Sequence, residues 1–301
     1  MSAKVSAKKA VELFRKNKEL AAPAIISATF TVAFIVGFFI LSGAYSVMQE
    51  LIMHEQIWQQ SQLPIDFDEY LLIYGMDALE AVIGLFTWNN FWLLIGLFGI
   101  KTLFTLYFGS MSWAMIARAH NHSKKSVWEL THQFFVRYSF LHIIIILILY
   151  LPVALFVFGG LYVLVTAGNA FLAAGAVAIA GILLFVYLVG AFLRLIFTAP
   201  SLYDKNQGVT KTLTHAYHVT GHHFQHVLVV TLIALALLAA AVYIGQNPSA
   251  HAASTALFSM HIISVILAGL AVGVFVIIEG VIVTYERIFL YEAYHEHIRL
   301  K

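Results

Sequence analysis

The sequence has no cysteine and few charged residues. None of its 301 residues is cysteine, which excludes a disulfide framework, thiolate metal ligands, an iron–sulfur cluster and a cysteine nucleophile. Charged residues make up only 11% of the chain, whereas about a quarter is usual in soluble proteins. Hydrophobic residues make up 61%, and the mean hydropathy is +0.87. These values exclude an ordinary soluble protein and indicate a polytopic membrane protein.

Six apolar stretches are long enough to cross a membrane as helices, because ~20 residues cover ~30 Å of hydrocarbon. They comprise residues 24–47, 91–117, 138–165, 171–198, 226–245 and 258–284. The connection between the third and the fourth, Thr-Ala-Gly-Asn-Ala, is short enough to require a tight hairpin. We therefore predict an all-α fold with six transmembrane helices arranged as three hairpins.

Lysine and arginine lie almost entirely on one side of these spans. The chain before the first span, the second and fourth connections and the tail hold 15 of the 17 basic residues. Residues 48–90 instead hold seven acidic residues and no lysine or arginine. Because basic connections stay in the cytoplasm, we predict a multi-pass protein of the cell membrane. Its N- and C-termini are expected to be cytoplasmic, with residues 48–90 outside.

A short basic motif recurs before the first, third and fifth spans. It reads Lys8-Lys9-Ala10-Val11, Lys124-Lys125-Ser126-Val127 and Thr210-Lys211-Thr212-Leu213. We interpret each copy as part of an amphipathic helix at the cytoplasmic interface, preceding a hairpin. The alternative is a simple extension of the spanning helix. In the second copy, Ser126 and Glu129 have the spacing of a capping box, which predicts a helix start there.

These elements make up a single membrane domain of residues 1–301. Its predicted parts are the first interfacial helix and span (1–47), the outer acidic helical segment (48–90) and the second span (91–117). The second interfacial helix with spans three and four (118–198), the third with spans five and six (199–284) and the cytoplasmic tail (285–301) complete it.

Two segments carry a resemblance to a known group of membrane proteins. They are PSLYDKNQGVTKTLTHAYHVTGHH after the fourth span and the tyrosine-rich TYERIFLYEAYHE after the sixth. With them, the chain resembles the six-helix membrane domain attached to some glycerophosphoryl diester phosphodiesterases, and related stand-alone prokaryotic membrane proteins of unknown function. Six spans leave no room for the soluble catalytic barrel. The resemblance therefore implies a fold rather than an activity.

Three ionisable residues lie within the predicted spans: Lys101, Arg194 and Glu279. Each costs ~2.5–3.5 kcal/mol near the bilayer centre, so each suggests a function or a partner. At 1.5 Å per residue, Arg194 and Glu279 lie ~6 and ~9 Å from the cytoplasmic ends of their helices. We predict that they pair between the fourth and sixth spans. The alternative is that Arg194 extends alone to the interface.

Lys101 lies deeper, ~24 Å from the cytoplasmic end, and belongs to a polar stripe on the second span. The stripe comprises Lys101, Thr102, Thr105 and Ser112. It predicts either a site for an anionic group or a substrate path through the bundle. The alternative is that Asp77 or Glu80 neutralises Lys101 if the outer segment folds back, since buried charges are usually paired.

Histidines are concentrated in the segment before the fifth span. His215, His218, His222 and His226 fall on one helical face, where imidazoles four residues apart could bind a transition metal. This face lies opposite Leu213, Tyr217, Thr220 and Phe224, so it is also the ordinary polar face of an interfacial helix. A pH-sensitive contact with lipid is a further alternative, because histidine changes charge near pH 6.5.

Recognisable enzyme signatures are missing from the sequence. It has no phosphate-binding loop, nucleophile elbow or zinc-enzyme motif. We predict a non-enzymatic integral membrane protein that organises lipid or a membrane-protein partner complex. A transporter for a small solute or lipid with a polar path at Lys101 is the first alternative, and a metal-binding membrane enzyme using the histidine helix the second. We expect no cofactor other than that metal, anionic lipid headgroups as partners and no nucleic acid.

The predicted orientation can be tested with single engineered cysteines, because the natural chain has none. In intact cells a membrane-impermeant maleimide is expected to label Ser61→Cys in the acidic segment and not Ser123→Cys in the basic connection. Ser123→Cys should react only after permeabilisation. The unmodified chain is the control and should give no signal. The opposite labelling pattern would overturn the orientation.

Overall fold

The computed structural model describes residues 3–61, 65–121, 123–166, 170–222, 224–258 and 262–299. Within these ranges the chain forms twelve α-helices and one short 3-10 helix (Lys18–Ala21), and no strand. The α-helices are α1 (Ala3–Lys16), α2 (Ala22–Leu41), α3 (Ala44–Ser61), α4 (Phe67–Tyr74), α5 (Met76–Gly84), α6 (Trp88–Asn121), α7 (Val127–Thr166), α8 (Ala170–Leu195), α9 (Thr198–Lys205), α10 (Val209–His222), α11 (Phe224–Phe258) and α12 (Ile262–Arg299).

Six helical segments are long and apolar enough to cross a membrane. They are Lys18–Leu41, Trp88–Asn121, Val127–Thr166, Phe171–Lys205, Phe224–Tyr243 and Gly269–Glu296. In each of the first four, only 6% of the most apolar stretch of 18 residues is buried within the protein. Apolar surface of this extent is stable only against other apolar groups. The predicted all-α class and six spans are confirmed, and they indicate a multi-pass membrane protein.

The first span ends earlier than the sequence predicts. The apolar stretch continues to Val47, but α2 ends at Leu41 and a new helix, α3, begins at Ala44. Gly43 between them has a φ of +78°, in the left-handed region that glycine adopts without strain. The Ala44 amide, which has no partner within α3, donates to the Ser42 hydroxyl at 3.3 Å, and the Ser46 hydroxyl donates to the Gly43 carbonyl oxygen at 2.7 Å.

The second predicted interfacial helix is not a separate element. Helix α7 is continuous from Val127 to Thr166, so the segment after the basic motif is an extension of the third span. The predicted capping box is present at its start. The Glu129 amide donates to the Ser126 hydroxyl at 3.1 Å, and the Ser126 amide donates to the Glu129 carboxylate at 3.0 Å. The predicted tight turn at 167–169 lies outside the described residues.

The chain divides into two compact units. The first contains Met1–Ala24, Leu106–Tyr243 and Glu279–Lys301, and the second contains Ile25–Thr105 and Ile244–Ile278. In the second unit the acidic segment forms α3, α4 and α5, which pack together. The indole of Trp58 on α3 donates to the carbonyl of Ile65, which precedes α4, at 2.9 Å. The acidic segment is therefore a small helical subdomain rather than a loop.

The core of the first unit is built around the last part of α12. Ile288, Phe289, Tyr291, Ala293 and Tyr294 are fully buried there. A helix that is buried on all sides has to be surrounded by other elements rather than lie on a surface. The tyrosine-rich segment predicted as a cytoplasmic tail is thus the centre of this unit.

A proline inside α7 is compensated by a neighbouring helix. Pro152 has no backbone N–H, so it cannot donate to the carbonyl of Ile148, four residues earlier. The hydroxyl of Tyr187 on α8 donates to that same carbonyl oxygen at 3.1 Å. In an apolar environment an unsatisfied carbonyl costs several kcal/mol. This hydrogen bond therefore joins α7 and α8 at one specific register.

We expect Tyr187→Phe to lower the free energy of unfolding by about 1 kcal/mol, because it leaves the Ile148 carbonyl without a donor. In a Pro152→Ala background the same change should cost much less, since an alanine at this position supplies the missing N–H. Unfolding in mixed micelles of mild and denaturing detergent measures both. Tyr162→Phe, at an exposed tyrosine of α7, is the matched control. Equal losses in both backgrounds would contradict the compensation.

Candidate functional site

The predicted polar stripe of α6 does not form a continuous lining. Thr102 is half-buried, and its hydroxyl donates to the Phe98 carbonyl of its own helix at 2.8 Å, whereas Thr105 is exposed. Ser112 belongs to the first unit and is fully buried. Lys101 is half-buried in the second unit and forms no ion pair with the residues the structure describes.

Asp77, one of the two acidic residues considered as a partner of Lys101, contacts a histidine instead. Asp77 Oδ1 lies 3.5 Å from His54 Nε2, within the helical subdomain formed by the acidic segment. The side chain of His54 is nearly buried, whereas that of Asp77 is largely exposed. Asp77 thus contacts a histidine of its own subdomain, and Lys101 stays a candidate without an observed partner among the described side chains.

Arg194 and Glu279 are not joined by an ion pair in the described part of the chain. The guanidinium carbon of Arg194 instead lies 3.8 Å from the ring centroid of Tyr217 on α10. This is a cation–π contact, in which the ring face attracts the charge. Tyr217, predicted opposite the histidine face of α10, is half exposed and is the ring that Arg194 contacts.

The histidines of α10 and α11 are spread over several environments. His215 lies edge-on to Tyr294 with ring centroids 6.1 Å apart, and His218 is exposed beside Tyr217. The described residues include no group of three or more histidine, aspartate or glutamate side chains suited to a metal ion. The side chain of His222 lies outside the described residues, so the four-histidine hypothesis stays a prediction.

One ion pair and two histidine–carboxylate contacts connect α12 to other elements of the first unit. Glu292 Oε1 lies 2.8 Å from His120 Nδ1 at the end of α6. His295 Nε2 lies 3.2 Å from Asp204 Oδ1 on α9. Glu296 pairs with Lys9 on α1. Both glutamates are buried, and a buried carboxylate is stable only with such partners.

Aromatic stacking holds the two histidines of these pairs together. The rings of His120 and His295 are stacked, with centroids 4.3 Å apart. Tyr291 lies edge-on to His120, and its hydroxyl accepts a hydrogen bond from the Asn121 amide at 3.3 Å. The positions of both imidazoles, and therefore of their carboxylate partners, are fixed by this packing.

Beside these contacts of α12 lies a cleft with a volume of about 860 Å³. We call it the charged cleft. Its walls are α1 and the 3-10 helix, the end of α6 and the end of α12. The charged and imidazole side chains that line it are Lys9, Glu12, Lys16, Glu19, Arg118, His120, Glu292, His295 and Glu296. Side chains of both signs in one cleft suit a ligand that carries both charges, or several polar groups.

Comparison with protein-family models, curated proteins and solved structures finds no match to this chain. The resemblance to the membrane domain of glycerophosphoryl diester phosphodiesterases therefore stays a prediction from its motifs. The functional argument rests on the geometry of the charged cleft.

The sequence pattern does not single out the acidic residues of this cleft. Glu292 and Glu296 lie one helical turn apart in a tail otherwise rich in tyrosine. The signal that could have found them is the aromatic pattern around the glutamates. A helix with Tyr291 and Tyr294 beside two carboxylates has too little polar surface to lie freely in water.

The Lys9–Glu296 pair is expected to hold α1 in place. Glu296→Gln should lower the local stability of α1 by about 1 kcal/mol, since Lys9 is partly exposed and its pair is partly screened. Amide hydrogen exchange over residues 3–16 should become about fivefold faster. Glu12→Gln, an exposed acid on the same helix, is the control and should leave exchange unchanged. Equal effects of both changes would show that the pair does not anchor α1.

Proposed function

We propose that the chain is a non-enzymatic integral membrane protein that organises membrane lipid. In this proposal its six spans form three hairpins, with interfacial helices α1 and α10 on the cytoplasmic side. Both termini are cytoplasmic, and the helical subdomain within residues 48–90 lies outside. The clustering of lysine and arginine in the terminal segments and in the second and fourth connections supports this orientation.

The observation that carries the proposal is the charged cleft. Its volume of about 860 Å³ lies within the range of small-molecule sites and is large enough for a phospholipid headgroup. Its lining comes from α1, the end of α6 and the end of α12, which the proposed orientation places at the cytoplasmic interface. Lipid headgroups lie at this depth, and a site here meets them directly.

The charges of the charged cleft are suited to a headgroup. Lys16 and Arg118 form no ion pair with the residues the structure describes, whereas Lys9 is paired with Glu296. Two cations are therefore left to contact a lipid phosphate, and each basic group near an anionic membrane surface contributes about 1 kcal/mol. The exposed carboxylates of Glu12 and Glu19 are on the same wall and suit an amine or hydroxyl of the headgroup.

The geometry of the charged cleft gives less support to the other functions considered from the sequence. Lys101 is not part of the cleft lining, so the cleft adds no support to a transport path at Lys101. A membrane-protein partner is the nearest alternative, because a partner helix with charges of both signs could occupy the same cleft. Lipid is favoured because the cleft is bounded on three sides and lies at the proposed interface.

Lipid retention by the purified protein tests the proposal. The full chain, extracted in a non-ionic detergent, is expected to retain phospholipid that mass spectrometry identifies. Lys16→Glu should reduce retention about tenfold, because it replaces a cleft cation with an anion. Lys18→Glu is the matched control: the residue is equally exposed but does not line the cleft. No bound lipid in the unmodified protein, or equal losses in both variants, would contradict the proposal.

A further inference from the structure

We propose that a second, smaller cavity of the first unit binds a phosphate group. This cavity has a volume of about 230 Å³ and lies among the end of α6, the start of α7 and the end of α9. We call it the basic cavity. The inference deepens the proposed lipid function, because it names the part of the headgroup that is held and the residues that hold it.

The basic cavity has charge of one sign only. Arg118 and Lys125 both line it, and no aspartate or glutamate does. The guanidinium of Arg118 forms no hydrogen bond or ion pair with the residues the structure describes. Two cations without a lining carboxylate favour an anionic ligand, and a guanidinium matches the geometry of phosphate oxygens.

A chain of hydrogen bonds directs further donors toward this region. Lys125 Nζ donates to Gln133 Oε1 at 3.4 Å, and Gln133 Nε2 donates to Asn206 Oδ1 at 3.3 Å. Arg137 donates to the same Asn206 oxygen at 2.9 Å. With its oxygen occupied by two donors, Asn206 keeps its amide N–H groups for another acceptor. The ammonium of Lys125 likewise has N–H groups to spare.

The backbone of the region supports this arrangement. Asn206 ends α9 in the left-handed conformation, with a φ of +48°, which asparagine tolerates better than most residues. The capping box of Ser126 and Glu129 fixes the start of α7 just after Lys125. Arg118 is thus carried by α6, and Lys125 lies in the short connection directly before the capped start of α7.

The size of the basic cavity suits one polar group rather than a whole lipid. Ala114 and Ala117 on α6 leave space next to Arg118, and the packed rings of Phe134 and Tyr203, 4.7 Å apart, close the apolar side. Arg118 lines the basic cavity and the charged cleft alike. A phosphate at Arg118 therefore leaves the remainder of a headgroup free to occupy the cleft.

Two kinds of molecule carry such a group, a phospholipid and a small soluble phosphate compound. The test uses the full chain in nanodiscs of phosphatidylcholine, with and without phosphatidic acid as the lipid probe. Inorganic phosphate is the soluble probe, and acetate at equal ionic strength is its salt control. The variants are Arg118→Gln and Lys125→Gln. Lys124→Gln is the matched control, because Lys124 is adjacent and exposed but lines neither cavity.

Binding is measured by native mass spectrometry for the lipid and by thermal stabilisation for phosphate. Removing one charge-assisted contact should weaken binding about tenfold in Arg118→Gln and in Lys125→Gln. Lys124→Gln should change it less than twofold. Near-wild-type melting curves of the three variants without ligand would show that they fold. If Arg118→Gln fails to fold, Arg118→Lys replaces it and should show an intermediate loss, because lysine keeps the positive charge but lacks the paired N–H donors of a guanidinium.

The outcomes distinguish a failure of the basic cavity as a phosphate site from a failure of the proposed lipid function. Selective loss of phosphatidic acid in the cavity variants supports both the basic cavity and the lipid function. Stabilisation by inorganic phosphate alone, lost in the same variants, supports the phosphate site and removes the support for lipid. Equal losses in Lys124→Gln, or equal effects of acetate, would overturn the site and leave a diffuse charge attraction. Phospholipid retained at normal levels by both cavity variants overturns the inference and leaves the lipid function standing.

Discussion

The first unit depends on the partners that the buried carboxylates of Glu292 and Glu296 and the imidazole of His295 find from the last turns of α12. Glu292, His295 and Glu296 each contact a different element, at the end of α6, on α9 and on α1. A charge buried without its partner is strongly unfavourable. These three elements therefore have to be in place together, and the charged cleft lies between α1, the end of α6 and α12 because α12 extends beyond its apolar part as a helix.

Much of the fold follows from simple physical rules applied to the sequence. A bilayer requires every backbone polar group within it to be hydrogen-bonded, so apolar stretches of about 20 residues form helices. The six spans and the capping box at Ser126 follow from this rule and from local hydrogen bonding. The limits of the helices are less predictable. The break at Gly43 lies within an apolar stretch, and α7 continues through a segment that reads equally well as a separate helix.

The candidate site is harder to predict because its contacts join distant parts of the chain. His120 and Glu292 are 172 positions apart, and neither residue has a local pattern that requires the other. Matching Arg194 to Glu279 by depth considers only the position of each charge along its own helix. An aromatic face such as Tyr217 can also attract a guanidinium. Which partner is chosen depends on how α10 is rotated, and its sequence alone leaves that open.

The hydrogen bond from Tyr187 to the Ile148 carbonyl constrains the order in which residues 152 and 187 can be substituted during evolution. Pro152 is tolerable in α7 only while a neighbouring side chain supplies the donor that proline removes. If residue 152 has its own N–H, that N–H is the donor to the Ile148 carbonyl, and the hydroxyl of Tyr187 is no longer needed. Substitution should therefore be ordered: Pro152 can be replaced first at little cost, whereas loss of Tyr187 before Pro152 passes through a less stable intermediate. Related chains would be expected to keep this pair together or to lack the proline.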